Sequence, residues 1–126
     1  MFETKITEGS REYKGRDKLF MSDVTDATSI NAAAEEAKAE GGRISFGVKD
    51  YAVVQVHNDQ SKENKDYTNY VFVDNDDHKW YTGSKSFFEA FKRILDAMEG
   101  DPFEIAVNLI PSSNYAGRNI LSCSIV

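Results

Sequence analysis

Residues 43–57 alternate between apolar and polar side chains, and this period of two dictates a strand. Ile44, Phe46, Val48, Ala52, Val54 and Val56 fall on one face, and Arg43, Ser45, Lys49, Tyr51, Gln55 and His57 on the other. Gly47 or the Lys49–Asp50 pair gives such a strand a place to bend. The runs from Tyr67 to Val73, His78 to Thr82, Phe103 to Ile110 and Asn119 to Val126 also read as strands. The apolar run from Lys18 to Val24 reads as a further short extended segment. Residues 58–66 and 111–118, poor in large apolar side chains, read as hairpin loops.

Against this background one helix stands out. Phe87, Phe88, Phe91, Ile94, Leu95 and Met98 form a single stripe at helical spacing, with Ser84 or Thr82 as N-cap, Gly100 as stop and Pro102 beyond it. Glu89 and Arg93 sit four apart on its polar face. A second, Ala-rich helix is expected between Thr28 or Ser29 and Gly41-Gly42, with Ile30 as its only large anchor. The first 17 residues are polar and rich in turn formers, and read as a loosely ordered, flexible arm or a short strand.

The order is strand, long excursion, two-stranded hairpin, helix, final hairpin. It predicts a mainly β chain with one packed helix: an OB-like five-stranded Greek-key barrel over residues 1–126, with the short Ala-rich helix added. A chain of 126 residues buries enough surface to need no staple, and its one cysteine, Cys123, excludes an intramolecular disulfide. No apolar run approaches the ~20 residues that span a bilayer, so no membrane partner is expected. With an N-terminus unlike a signal peptide, a cytoplasmic protein is predicted. The balance of 15 basic and 21 acidic residues gives a net charge of −6, which opposes binding to polyanions unless cations are gathered locally.

Such a gathering exists. Arg11, Lys14, Arg16 and Lys18 face only Glu12 and Asp17 within nine residues. If Val71 and Val73 point into the barrel, Tyr70 and Phe72 point outward beside Tyr51, and exposed rings in a groove stack unpaired bases. Tyr13 and Tyr115 lie in glycine-bearing loops, with Arg118 close to the second. The candidate nucleic-acid-binding set is therefore Tyr13, Lys14, Arg16, Lys49, Tyr51, Tyr70, Phe72, Tyr115 and Arg118. The competing reading places Tyr70 and Phe72 in the core, Tyr51 as a half-buried surface tyrosine and residues 11–18 as a solvated arm.

Catalysis finds little support. His57 and His78 carry no motif linking them to a nucleophile or metal, and Cys123, flanked by serines in a strand, reads as a small core residue. Asp74, Asp76 and Asp77 lack the glycine and later glutamate of a calcium loop and read as a turn. Gly83-Ser84-Lys85-Ser86 lacks the earlier glycine of a phosphate loop and reads as a helix start. No catalytic residue, metal or cofactor is expected.

From Tyr70-Val71-Phe72-Val73-Asp74 through Trp80-Tyr81-Thr82-Gly83-Ser84, the helix, Phe103-Glu104-Ile105-Ala106-Val107 and Ser112-Ser113-Asn114-Tyr115-Ala116-Gly117-Arg118, the chain resembles phage single-stranded DNA-binding proteins. The type is that of small tailed phages with protein-primed replication, and Lys18-Leu19-Phe20 extends the similarity over most of the chain. The resemblance implies sequence-tolerant coating of a displaced strand in the infected cell, by a monomer or weakly self-associating protein near the replication machinery. The chain ends Ser124-Ile125-Val126, without the acidic tail of bacterial counterparts. The alternative is a phage inhibitor of a host protein, its Glu35-Glu36, Glu40, Asp74, Asp76 and Asp77 mimicking nucleic acid.

Overall fold

The computed structural model describes residues 2–58, 66–111 and 119–126. The chain is mainly β: among the described residues seven strands and three helices follow the order β1 (Phe2–Gly9), α1 (Arg16–Ser22), β2 (Thr28–Ser29), α2 (Ile30–Ala39), β3 (Ser45–Asn58), β4 (Asp66–Asp74), β5 (Lys79–Thr82), α3 (Lys85–Met98), β6 (Glu104–Pro111) and β7 (Asn119–Ile125). It divides into two compact units, Met1–Thr28 with Lys49–Gly83, and Ser29–Val48 with Ser84–Val126. Strand β3 runs on from the second unit into the first.

In the first unit β1 pairs antiparallel with β3, from Phe2 opposite Asn58 to Gly9 opposite Ala52, with a register shift between Ile6 and Glu8. On β3 lies β4, and β5 pairs with β4 from Tyr70 opposite Thr82 to Val73 opposite Lys79. One face of this sheet carries Ala52, Val54, Val56, Val71 and Val73, the side chains whose parity the alternation assigns to the interior. The start of the chain folds back over them: Tyr13 and Met21 join this cluster, with Ile6, Val24 and Tyr81 packed against it. Of the two readings of the first residues, arm or short strand, 2–9 take the strand, because β3 offers them a ladder and Ile6 a core to enter.

Residues 16–22 form a helix where an extended run is expected. Gly15, at φ 52°, turns the chain into it in a conformation glycine adopts without strain. Met21 is buried, whereas Leu19 and Phe20 are 70% and 46% exposed. The helix's far end is held by Lys79, whose Nζ donates to the carbonyl oxygens of Phe20 (2.8 Å) and Asp23, groups no helical turn satisfies. That lysine lies 59 positions beyond Phe20 in sequence, so local pattern carries no trace of it.

In the second unit the helices start and stop where their sequences say. Ser29 caps α2 by accepting from the Ala32 N–H (3.3 Å). The bonds from Gly41 N to Lys38 O (3.0 Å) and Gly42 N to Ala37 O (2.8 Å) close its end as a Schellman turn, with Gly41 at φ 80°. Ser84 caps α3 by accepting from Phe87 N–H (3.2 Å). Phe87, Ala90 and Phe91 are buried along its stripe. Lys85, rather than Arg93, pairs with Glu89 (3.9 Å). Residues 45–47 of β3 pair with 104–106 of β6, and β6 and β7 form the closing hairpin from Ile105 opposite Ile125 to Pro111 opposite Asn119.

Candidate nucleic-acid interface

The rings expected to line an open groove are inside. Tyr51 is 5% exposed, Tyr70 9% and Phe72 fully buried. The parity argument is right as far as it goes, since Val71 and Val73 do share the face of Val54 and Val56. Its further step, that the opposite face is therefore open, fails because β4 is buried on both sides from Asn69 to Asp74. Withdrawing a ring such as Phe72 to meet a base sacrifices about 1.5–3 kcal/mol of burial. The stacking gained is about 1–3 kcal/mol, the same size as that cost, so exposing the ring brings little net gain. These rings are core.

Tyr13 is also corrected. It is 8% exposed, and its hydroxyl donates to the Tyr51 carbonyl (2.5 Å) with Ser10 Oγ 3.1 Å away. Burial is the main reason its pKa is raised. The Arg11 guanidinium lies 5.2 Å above the ring centroid. Gly9 approaches so closely that a β-carbon there would sit 2.3 Å from Tyr13 Cε2. The Tyr51 hydroxyl in turn donates to Glu8 (3.2 Å).

The cations fare differently. Lys14 and Arg16 are exposed, as is Lys18, which the charge balance includes. Lys14 stands 3.7 Å from Glu12, a surface pair worth about 0–1 kcal/mol and easily exchanged for another anion. Arg11 is committed to Asp17 (3.2 Å) and Asp50 (3.5 Å). Lys49 is exposed, yet Asp77 holds its ammonium at 2.7 Å, and that hydrogen bond is the first cause of its raised pKa. Tyr115 and Arg118 lie outside the described residues.

Two exposed rings take the place of the buried ones among the described residues: Phe20 on α1 and Tyr67 on β4, the latter 39% exposed. Phe20 sits on the same short helix as Arg16 and Lys18, and the Lys79 ammonium lies 4.5 Å from its ring centroid. The sequence lists Phe20 in plain view. Only the helical turn, which sends Met21 inward and Phe20 outward, marks it as surface.

The acids divide as well. Glu35, Glu36, Glu40 and Asp76 are exposed. Asp74 is buried and serves the turn instead: its Oδ1 accepts from the N–H groups of Asp76 and His78 (2.9 Å each) and its Oδ2 from Trp80 Nε1 (3.0 Å). Burial pushes this carboxyl up, but those hydrogen bonds and the neighbouring His78 outweigh it, leaving the pKa below the usual range. Among the described residues no group of three or more His, Cys, Asp or Glu is placed to hold a metal ion. His57 pairs with Asp66 (2.5 Å) and His78 with Thr28 (2.7 Å). No described helix is long and apolar enough to cross a membrane.

No family model matches this chain, and searches of curated proteins and of solved structures found no match.

Proposed function

We propose that this protein binds single-stranded DNA without strong sequence preference, as the resembled phage proteins do in replication, and that it acts in the cytoplasm of the infected cell. One observation carries the reading: the exposed Phe20 ring, backed by Lys79, on a helix that also displays Arg16 and Lys18. A flat apolar ring among cations is the minimum apparatus for gripping unpaired bases and their backbone, and it resolves the conflict with a net charge of −6 by local supply. An OB-like barrel fits the strand pairing. A single 14-residue strand, β3, pairs through residues 45–47 with β6 and through its remainder with β1 and β4, and α3 follows the β3-β4-β5 meander.

Binding rests on few phosphate contacts, so its salt dependence is shallow. The test is fluorescence titration with oligo-dT, read through Trp80 and the tyrosines, beside duplex of equal length. Replacing Phe20 by Ala lowers oligo-dT affinity by about fivefold to a hundredfold, one stacking contact's worth, with the fold intact. Absence of any oligo-dT response at low salt removes the proposal.

A further inference from the structure

Within the first unit, where Thr4 of β1 meets residues 19–25, lies an open pocket of about 490 Å³ lined by Thr4, Leu19, Ser22, Asp23, Val24 and Thr25. Its walls are apolar, from Leu19 and Val24. Three hydroxyls and one carboxylate are the polar groups around it. An apolar slot with a few convergent polar groups is the common form of a small-ligand site. A nucleobase has the complementary shape, with flat apolar faces and hydrogen-bonding edges. We infer that this cavity takes one base of the bound strand, and that Asp23 favours a base carrying an exocyclic amino group, cytosine above thymine.

The argument for the amino edge is chemical. Asp23 Oδ1 accepts from the Thr25 N–H (3.0 Å) and from the Thr25 hydroxyl, which fixes the carboxylate in place. Those same bonds hold its carboxyl below the usual range, so it is ionised at neutral pH. Its other oxygen, Oδ2, makes no hydrogen bond among the described residues. A carboxylate accepts from the cytosine N4 amino group, whereas thymine offers a carbonyl oxygen at the same place and is repelled. The negative charge also turns phosphate away from the cavity and toward Arg16 and Lys18, which sorts base from backbone. An apolar protein side chain as occupant is less well matched, because it offers no donor to the second carboxylate oxygen.

The inference rests on the single-strand reading and is separable from it. The experiment titrates the full chain at neutral pH with oligo-dC and oligo-dT of one length. Wild type is expected to bind oligo-dC about tenfold more tightly, the scale of one base-edge contact. Asp23→Asn keeps an oxygen for the Thr25 amide but replaces the free carboxylate oxygen by an N–H donor, so oligo-dC binding falls, oligo-dT binding holds or rises, and the preference for oligo-dC is lost. Ser22→Leu, which fills the slot, removes the preference in the same way. Equal affinity of wild type for the two oligomers, or a preference that survives both substitutions, overturns the base pocket while leaving strand binding in place. Failure of both oligomers to bind overturns both.

Discussion

Lys79 is the residue on which the docking of the chain's first segment turns, and its removal has a defined cost. The side chain is 5% exposed, and its ammonium donates to the carbonyls of Phe20 and Asp23 and lies 3.4 Å from Asp26. Lys79→Met keeps the length and apolar stem but withdraws every donor. Each hydrogen bond to a charged group contributes about 1.5–3 kcal/mol. The Asp26 carboxylate is 83% exposed and adds little. Part of the loss returns, since Met avoids the desolvation of a buried ammonium and both carbonyls sit on exposed residues that water reaches. The net cost is about 2–3 kcal/mol, confined to the segment the lysine holds. Amide hydrogen exchange resolves this. Protection in α1 and residues 23–27 falls roughly 30- to 140-fold, while amides of β3 and β4 change far less. Lys79→Arg, which retains donors, gives an intermediate loss. Unchanged protection in residues 16–24, or an equal loss across the whole chain, refutes the idea that Lys79 fastens this segment.

Further outcomes are expected at three residues. The Asp74 carboxyl lies below its ordinary value in the folded chain, so its contribution is complete above the unfolded carboxylate pKa and disappears as pH falls through the lower folded one. Wild-type urea midpoints should fall on acidification below the ordinary carboxylate range, and Asp74→Asn should flatten that dependence. Asp74→Ala, which strands Trp80 Nε1 and two backbone donors, should cost about 2–4 kcal/mol with a shift in tryptophan emission. Cys123, buried with its pKa pushed up to about 12 mainly by desolvation, should resist thiol reagents at pH 8 and react fully in denaturant. Gly9→Ala forces a β-carbon to 2.3 Å from Tyr13 Cε2 and 3.0 Å from the Tyr51 carbonyl, and should lower stability by about 1–3 kcal/mol in a thermal melt.

The elements most faithful to their sequences are those whose determinants are local. Ser29 and Ser84 cap helices, Gly41-Gly42 ends one, and the Phe87–Phe91 stripe is buried because caps and stripes lie within a few residues of what they control. The alternation that sorts Val54 and Val56 from Tyr51 is likewise written into the chain, since a strand's period of two is covalent geometry. The same holds for Asp74, whose turn is made by bonds to Asp76 and His78.

What a face meets is another matter. Tyr70 and Phe72 share one face of β4 and Val71 and Val73 the other, yet all four are buried, and nothing in a run apolar on both sides says whether one side is left to solvent. Residues 18–24 have the composition of a strand, yet 18–22 lie in a helix whose far end is held by Lys79, far along the chain, through the carbonyls of Phe20 and Asp23. That helical turn puts Phe20 on the surface. Periodicity decided which side chains stand together; only tertiary packing decided which of them water reaches, because solvent exposure depends on atoms that arrive from elsewhere in the chain.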